Sequence, residues 1–216
     1  VLNYQDIAAQ AVEDCMETNQ DIIAITPSTL YATGLLNVFN RFPDRCFDPG
    51  MEEQHAVSMA VGMALSGSHP ILFYQSTFLQ RAYDQLIHDV CFSNQNMLIL
   101  AVRSGFAGYD NPTHHGIYDF SYLRGLPNLQ IFYPKNSSEL YDMTLLALTE
   151  LTGPIIILMP YGPADESSYV RNKASLEMEK PELICTGSDG IIIAVGNKVI
   201  DCLTAIDILA ESGLSY

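Results

Sequence analysis

Two stretches of the 216-residue sequence concentrate groups that can move protons or hold anions. The first, Asp48-Pro49-Gly50-Met51-Glu52-Glu53-Gln54-His55, reads as a turn that opens a helix. Glu52 and Glu53 stand in its first turn, where the helix dipole favours any carboxylate by ~0.3–1 kcal/mol. A structural role and an acid–base role are therefore both open for them. The second stretch runs from Arg103 to Gly116 behind an apolar strand that ends at Val102. A loop this long in a compact domain is usually functional. Its Gly105, Gly108 and Gly116 permit close backbone approach, while Arg103, Asp110, His114 and His115 supply charge and proton-transfer groups. Arg103, leaving a strand end, is an anion-binding candidate. Its loop favours a functional role for the His114-His115 pair, whereas His55, His69 and His88 read as structural or solvated. Arg81 falls on a helix with an apolar stripe, where a surface ion pair is its plainest role. The sequence nominates no third ligand that would make a metal site. The lack of a Gly-x-Gly-x-x-Gly or Walker-type loop counts against nucleotide binding.

The elements that must position these groups follow from hydrophobic period. Ile7, Ala8, Ala11, Val12 and Cys15 make one helical stripe behind an Asn3 cap. Helical patterns also span Glu52 to Ser66, with small inner residues Ala56, Ala60, Gly62 and Ala64, then Thr77 to Cys91 and Ser137 to Leu151. Short apolar runs lie between them: Ile22 to Ile25, Pro70 to Tyr74, Met97 to Val102, Leu129 to Tyr133 and Ile155 to Met159. Continuous apolar strands separated by helices predict an α/β fold, a doubly wound parallel sheet of about five strands covered on both faces. The polar stretch Pro163 to Pro181 reads as a linker. Gly190 to Gly196 and Asn197 to Glu211 then predict one strand and one helix, the start of a truncated second α/β domain.

Composition narrows the function classes. Lys and Arg number 10 against 25 Asp and Glu, a formal net charge of −15. No basic stripe exists to displace counterions, which argues against nucleic acid and anionic membranes as partners. Apolar runs such as Ile155 to Pro160 fall far short of the ~20 residues of a membrane helix. The opening Val1-Leu2-Asn3-Tyr4-Gln5-Asp6 lacks the basic and apolar regions of a signal peptide. Five widely spaced cysteines without a Cys-x-x-Cys read as reduced thiols of a cytoplasmic protein. Charged residues make up only 16%, against roughly 25% in an average domain, which suggests faces covered by other protein.

Four segments are recognisable together: Phe42-Pro43-Asp44-Arg45-Cys46-Phe47-Asp48, Glu53-Gln54-His55-Ala56-Val57, Ser76-Thr77-Phe78-Leu79-Gln80-Arg81-Ala82-Tyr83-Asp84-Gln85 and Pro112-Thr113-His114-His115-Gly116. They closely resemble the 1-deoxyxylulose-5-phosphate synthases, thiamine-diphosphate enzymes of the transketolase group. The resemblance runs from about Asn3 to Gly162 and continues weakly to the end. It implies a pyrimidine-binding transketolase-like domain over residues 1–163, a linker over 164–181 and the beginning of a C-terminal transketolase domain over 182–216. It implies that Glu53 hydrogen-bonds N1′ of the cofactor's aminopyrimidine, that Phe78 stacks on that ring, and that Arg81, Asp110 and His114 surround the substrate. Arg103 matches one of two arginines that bind the acceptor's phosphate. The implied reaction joins pyruvate, with decarboxylation, to glyceraldehyde 3-phosphate. The resemblance also implies a homodimer.

The sequence departs from the family on the substrate side. The family's Tyr-Pro-Arg-Gly turn is Met159-Pro160-Tyr161-Gly162 here, a family tyrosine is Gln75, and an expected aspartate before Arg103 is Val102. Tyrosine replaces neither the charge nor the bidentate fork of a guanidinium. Nothing in the chain matches the family's diphosphate-binding domain with its Mg²⁺ ligands. That domain is expected in cis or in trans, and the isolated chain is expected to be inactive. The alternatives are a transketolase-like or other acyloin-forming enzyme with a different acceptor, and a non-catalytic dimerising module.

Overall fold

The computed structural model describes residues 2–108, 112–164 and 180–216. The first stripe forms α1 (Tyr4–Thr18), capped by Asn3, whose backbone N–H is accepted by the Asp6 carboxylate at 3.0 Å. Its apolar positions Ile7, Ala8, Ala11, Val12 and Cys15 are all buried. After β1 (Ile22–Ile25) come α2 (Leu36–Arg41), a 3-10 turn at Pro43–Arg45 and the two-residue strand β2 (Cys46–Phe47). Next are α3 (Glu53–Leu65) and β3 (His69–Gln75), which runs straight into a helical stretch of mixed pitch. That stretch is α4 (Ser76–Leu79), a 3-10 turn (Gln80–Ala82), α5 (Tyr83–Gln85) and a π turn (Leu86–Phe92). The rest of the domain is β4 (Met97–Ser104), a 3-10 turn (Pro112–His114), α6 (Asp119–Leu123), β5 (Gln130–Phe132), α7 (Ser137–Thr149) and β6 (Pro154–Pro160).

The six strands form one all-parallel sheet in the order β2-β1-β3-β4-β6-β5. Alternation along each strand sends side chains to two separate cores. Ile71, Phe73, Leu98, Leu100, Ile155 and Ile157 pack under α1 and α7. Leu72, Tyr74, Ile99, Ala101, Ile156 and Leu158 pack under α3 and the mixed helical stretch. A sheet buried on both faces needs apolar residues at every position, and β6 is buried along its full length. Sites on such sheets form outside the carboxyl ends of the strands. Glu53 follows β2, Phe78 and Arg81 follow β3, Arg103 ends β4 and Tyr161 follows β6.

Four expectations are revised. A sixth strand, β2, pairs with β1 through Ala24–Cys46 and Ile25–Phe47; two residues are too few to leave a period. The stretch expected as one helix over Thr77 to Cys91 changes pitch three times, because an apolar stripe does not report which carbonyl each N–H reaches. The inner face of α3 is Glu53, Ala56, Val57, Ala60 and Val61, and Gly62 is exposed. Residues 190–196 form no strand: among the described residues no strand pairs with them, and Ile191 and Ile193 are 89% and 88% exposed. The expected helix behind them is α8 (Lys198–Glu211). Of the expected linker, residues 165–179 lie outside the described residues, while Ala164 is buried and its N–H bonds the Leu2 carbonyl at 3.0 Å.

All five cysteines are free thiols, with Cys15, Cys46 and Cys91 buried and Cys185 exposed. Burial pushes the Cys46 and Cys91 thiols up to about 11, leaving almost no thiolate at neutral pH. A thiol-specific disulfide reagent should therefore modify Cys185 rapidly and Cys202 more slowly in the native protein. The three core cysteines should react only after denaturant is added.

Candidate active site

Helix position alone left Glu52 and Glu53 equivalent and the family resemblance singled out Glu53; the fold separates them. Glu52 is the exposed N-cap of α3, and Glu53, the first helical residue, is turned inward and only 4% exposed. Tyr74, fully buried at the end of β3, donates its hydroxyl to the Glu53 carbonyl at 2.7 Å and so fixes the start of the helix against the sheet. Burial, reinforced by the nearby Glu53 charge, pushes that phenol far above its ordinary range, so it remains a donor at any physiological pH. A buried carboxylate requires a counter-charge. Arg81 Nη1 supplies it 2.7 Å from Glu53 Oε2. The two sides of this pair differ: the carboxylate is 5% exposed and the guanidinium 50%. The contact lacks the alignment of a hydrogen bond, and Oε2 is buried without a hydrogen-bond donor. Glu53 therefore presents an acceptor with capacity left for a donor from a ligand. The plain role expected for Arg81, a surface ion pair, is thus half right, since its partner is buried. The 3-10 turn of Gln80–Ala82 packs on α3, which brings Arg81 beside Glu53.

The same helical stretch carries Phe78, half-buried, whose ring meets the edge of His114 at 5.4 Å between centroids. Thr77 Oγ1 donates to the Thr113 carbonyl at 2.9 Å, tying helix to loop. The loop is pinched shut at its base by Gly105 and Gly116, which exchange N–H···O bonds of 3.0 and 2.8 Å. The two histidines have different tasks. His115 Nδ1 accepts the Ala107 N–H at 2.8 Å and braces the loop, and His114 faces Phe78. Asp110 lies outside the described residues.

Arg103 belongs to β4 itself, where the ladder to β6 shifts register between Ala101 and Ser104. Its φ of +64° lies in the left-handed region, a conformation an arginine holds only where neighbours enforce it. Its guanidinium carbon stands 5.3 Å from the centroid of the Tyr161 ring. Tyr161 also packs on Gly108, where a Cβ would come within 2.6 Å of the ring and where the φ of +61° favours glycine. The position expected to carry a second arginine thus holds an aromatic plate over the first.

One buried polar group escaped sequence reasoning. Asp119, at the start of α6, is 2% exposed; its Oδ2 accepts from Ser104 Oγ at 2.7 Å and, in a still shorter contact, from Ser76 Oγ. Burial raises its carboxyl above the ordinary value, and the two serine bonds pull it partly back. In the sequence it is indistinguishable from any aspartate that opens a helix. Gln75, known from the sequence only as a departure from the family tyrosine, is also buried, 4% exposed at the end of β3 with its Nε2 unpaired.

This arrangement can be set beside known proteins. Residues 1–163 match the sequence profile described as "Transketolase, pyrimidine binding domain". The chain belongs to that family. Similar sequences occur in proteins named 1-deoxy-D-xylulose-5-phosphate synthase. One from Thermomicrobium roseum is 42% identical over 211 residues, 98% of this chain and 34% of that protein. One from Halothermothrix orenii is 39% identical over 98% of this chain and 33% of its own length. The chain thus spans about a third of the length of these relatives. A structure titled "Split gene transketolase, inactive beta4 tetramer" superposes with a TM-score of 0.86 at 23% identity, covering 99% of this chain and 69% of the other. A transketolase mutant from Pichia stipitis gives 0.80 at 17% identity, covering 99% of this chain and 33% of that one. The fold expected from the apolar pattern and the resemblance is the one observed.

Asp119 supplies a sign-determined pH test. Its carboxyl is raised in the fold above the ordinary 3.8, so its contribution to stability is complete below that value and is lost as pH rises through the folded value. Asp119→Asn keeps a carbonyl acceptor without the buried charge. Its thermal midpoint should exceed that of the parent at pH 7 and equal it near pH 3, measured by circular dichroism.

Proposed function

We propose that the chain is the pyrimidine-binding part of a thiamine-diphosphate-dependent 1-deoxy-D-xylulose-5-phosphate synthase. The enzyme would join pyruvate, with loss of carbon dioxide, to glyceraldehyde 3-phosphate. The observation that carries this reading is Glu53, a buried carboxylate with an undonated Oε2 at the mouth of a family fold. An aminopyrimidine needs such an acceptor and an aromatic surface, and Glu53 and Phe78 fit both needs. When bound, thiamine diphosphate supplies an acidic carbon that adds to a keto group and holds the electron pair released by decarboxylation. Glu53 would hold a proton at the pyrimidine N1′, and its burial beside a single counter-ion would keep water from competing for it. His114, edge-on to Phe78, and Asp110 would contact the substrate. Arg81 would both neutralise Glu53 and face the reacting group with its exposed half. Arg103 would take the acceptor's anion. The diphosphate and its Mg²⁺ would be held by a diphosphate-binding domain in cis or in trans, as the relatives' greater length supports, within a homodimer. No helix among the described residues is long and apolar enough to cross a membrane, which is compatible with a cytoplasmic enzyme.

A second reading keeps the cofactor and changes the acceptor to an unphosphorylated aldehyde. Tyr161 favours it, because an aromatic ring 5.3 Å from the Arg103 guanidinium carbon offers no second positive charge.

Two variants test these readings in the complete enzyme. Glu53→Gln should lower turnover by at least ~100-fold with an unchanged circular dichroism spectrum; turnover like the parent's removes Glu53 from its assigned role. Tyr161→Arg should lower KM for glyceraldehyde 3-phosphate roughly tenfold and leave unphosphorylated glyceraldehyde unaffected. An unchanged KM would mean that the missing arginine does not limit phosphate binding.

A further inference from the structure

Three segments that carry candidate site residues converge on one buried atom that no step above uses, Asp119 Oδ2. From the β3 side it accepts from Ser76 Oγ, the residue at which the helical stretch bearing Phe78 and, in its 3-10 turn, Arg81 begins. From the β4 side it accepts from Ser104 Oγ at 2.7 Å, the residue after Arg103. From the loop side, Gly116 lies so close that a Cβ would meet Ser76 Oγ and come within 2.7 Å of Asp119 Oδ2. Gly116 in turn closes the loop on Gly105, the residue after Ser104. Two hydroxyl donors on one oxygen require an acceptor there, and a carboxylate offers several lone-pair sites. Arg103 needs such an anchor, since its positive φ persists only where the surroundings over-determine it.

We propose that Asp119 is a positioning residue: through Ser104 it holds Arg103 in its strained conformation, and through Ser76 it sets the start of the helical stretch that carries Phe78 and Arg81. The two serines make the latch separable, with one arm toward the anion-binding side and one toward the aromatic side. The inference rests on the synthase reading only for the identity of the acceptor substrate.

Hydrogen exchange on the full-length protein without ligands tests the latch independently of activity. Ser104→Ala and Asp119→Leu should accelerate exchange in the segment 103–116 by about tenfold, with α1 and α7 unchanged. Asp119→Asn, which keeps a carbonyl acceptor, should recover the larger part of that protection. In steady-state kinetics, Ser104→Ala should raise KM for glyceraldehyde 3-phosphate about tenfold, with kcat and the pyruvate KM within a factor of about three. Unchanged exchange in Ser104→Ala overturns the proposal, as does acceleration spread equally over α1 and α7, or an equal fall in kcat. Should Asp119→Leu fail to fold, Ser104→Ala removes a single donor and decides alone. A parent enzyme without synthase activity would refute the functional reading and leave the exchange result to judge the latch.

Discussion

A negative charge withheld from water at the first residue of α3 is the constraint around which the site is built. A carboxylate as buried as Glu53 is costly unless a counter-charge and the helix terminus compensate it. The protein meets that cost with a single guanidinium from the next helical stretch. Tyr74 then pins the backbone of the same residue, so the carboxylate cannot relax toward solvent without breaking a buried bond. The compensation is incomplete on the oxygen facing Arg81, and the residual acceptor capacity is the chemical resource of the site. A surface glutamate would have the same charge and none of this capacity, since water would already occupy it.

Everything else arranges other groups relative to that carboxylate. Parallel strands deliver their carboxyl ends to one side of the sheet, which is why residues distant in sequence share a rim. Register alone does not orient their side chains. A 3-10 turn brings Arg81 beside α3, a bulge in β4 carries Arg103 in the left-handed region, and a two-glycine pinch closes the loop that presents His114. These are departures from regular geometry, and they concentrate at the rim and not in the core. Regular strands supply rigidity beneath them; Asp119 joins the irregular pieces to one another.

The two ends of the rim differ in character. On the Glu53 side stand the buried carboxylate and the half-buried Phe78 ring, the groups that the family resemblance assigns to an aminopyrimidine. On the Arg103 side, an aromatic ring and a glycine pack where a second cation was expected. The plate over Arg103 stabilises the guanidinium by cation–π attraction. It also leaves this end of the rim with one arginine where the resemblance implies two. On the proposed reading, cofactor chemistry and acceptor choice rest on separate groups, so that one can drift while the other is retained.

Hydrophobic period by itself determined the layered parallel sheet, because strands buried on both faces must be apolar at every position, and helices that cover them must show one apolar stripe. Residue types and local order also determined the candidates Glu53, Phe78, Arg81, Arg103 and His114, since their segments match a family pattern in which such groups meet. Period could not reveal β2, too short to show one, or the changes of pitch after β3, which depend on hydrogen-bond partners and not on which face is apolar. It over-read residues 190–196, where apolar residues lack a neighbouring strand among the described residues. Only the tertiary structure decided which of two adjacent glutamates is buried, which of two adjacent histidines braces the loop, and that Tyr161 covers Arg103. Only it disclosed Asp119, because the desolvation of a carboxylate is a property of what surrounds it in space, and a linear sequence does not contain that information.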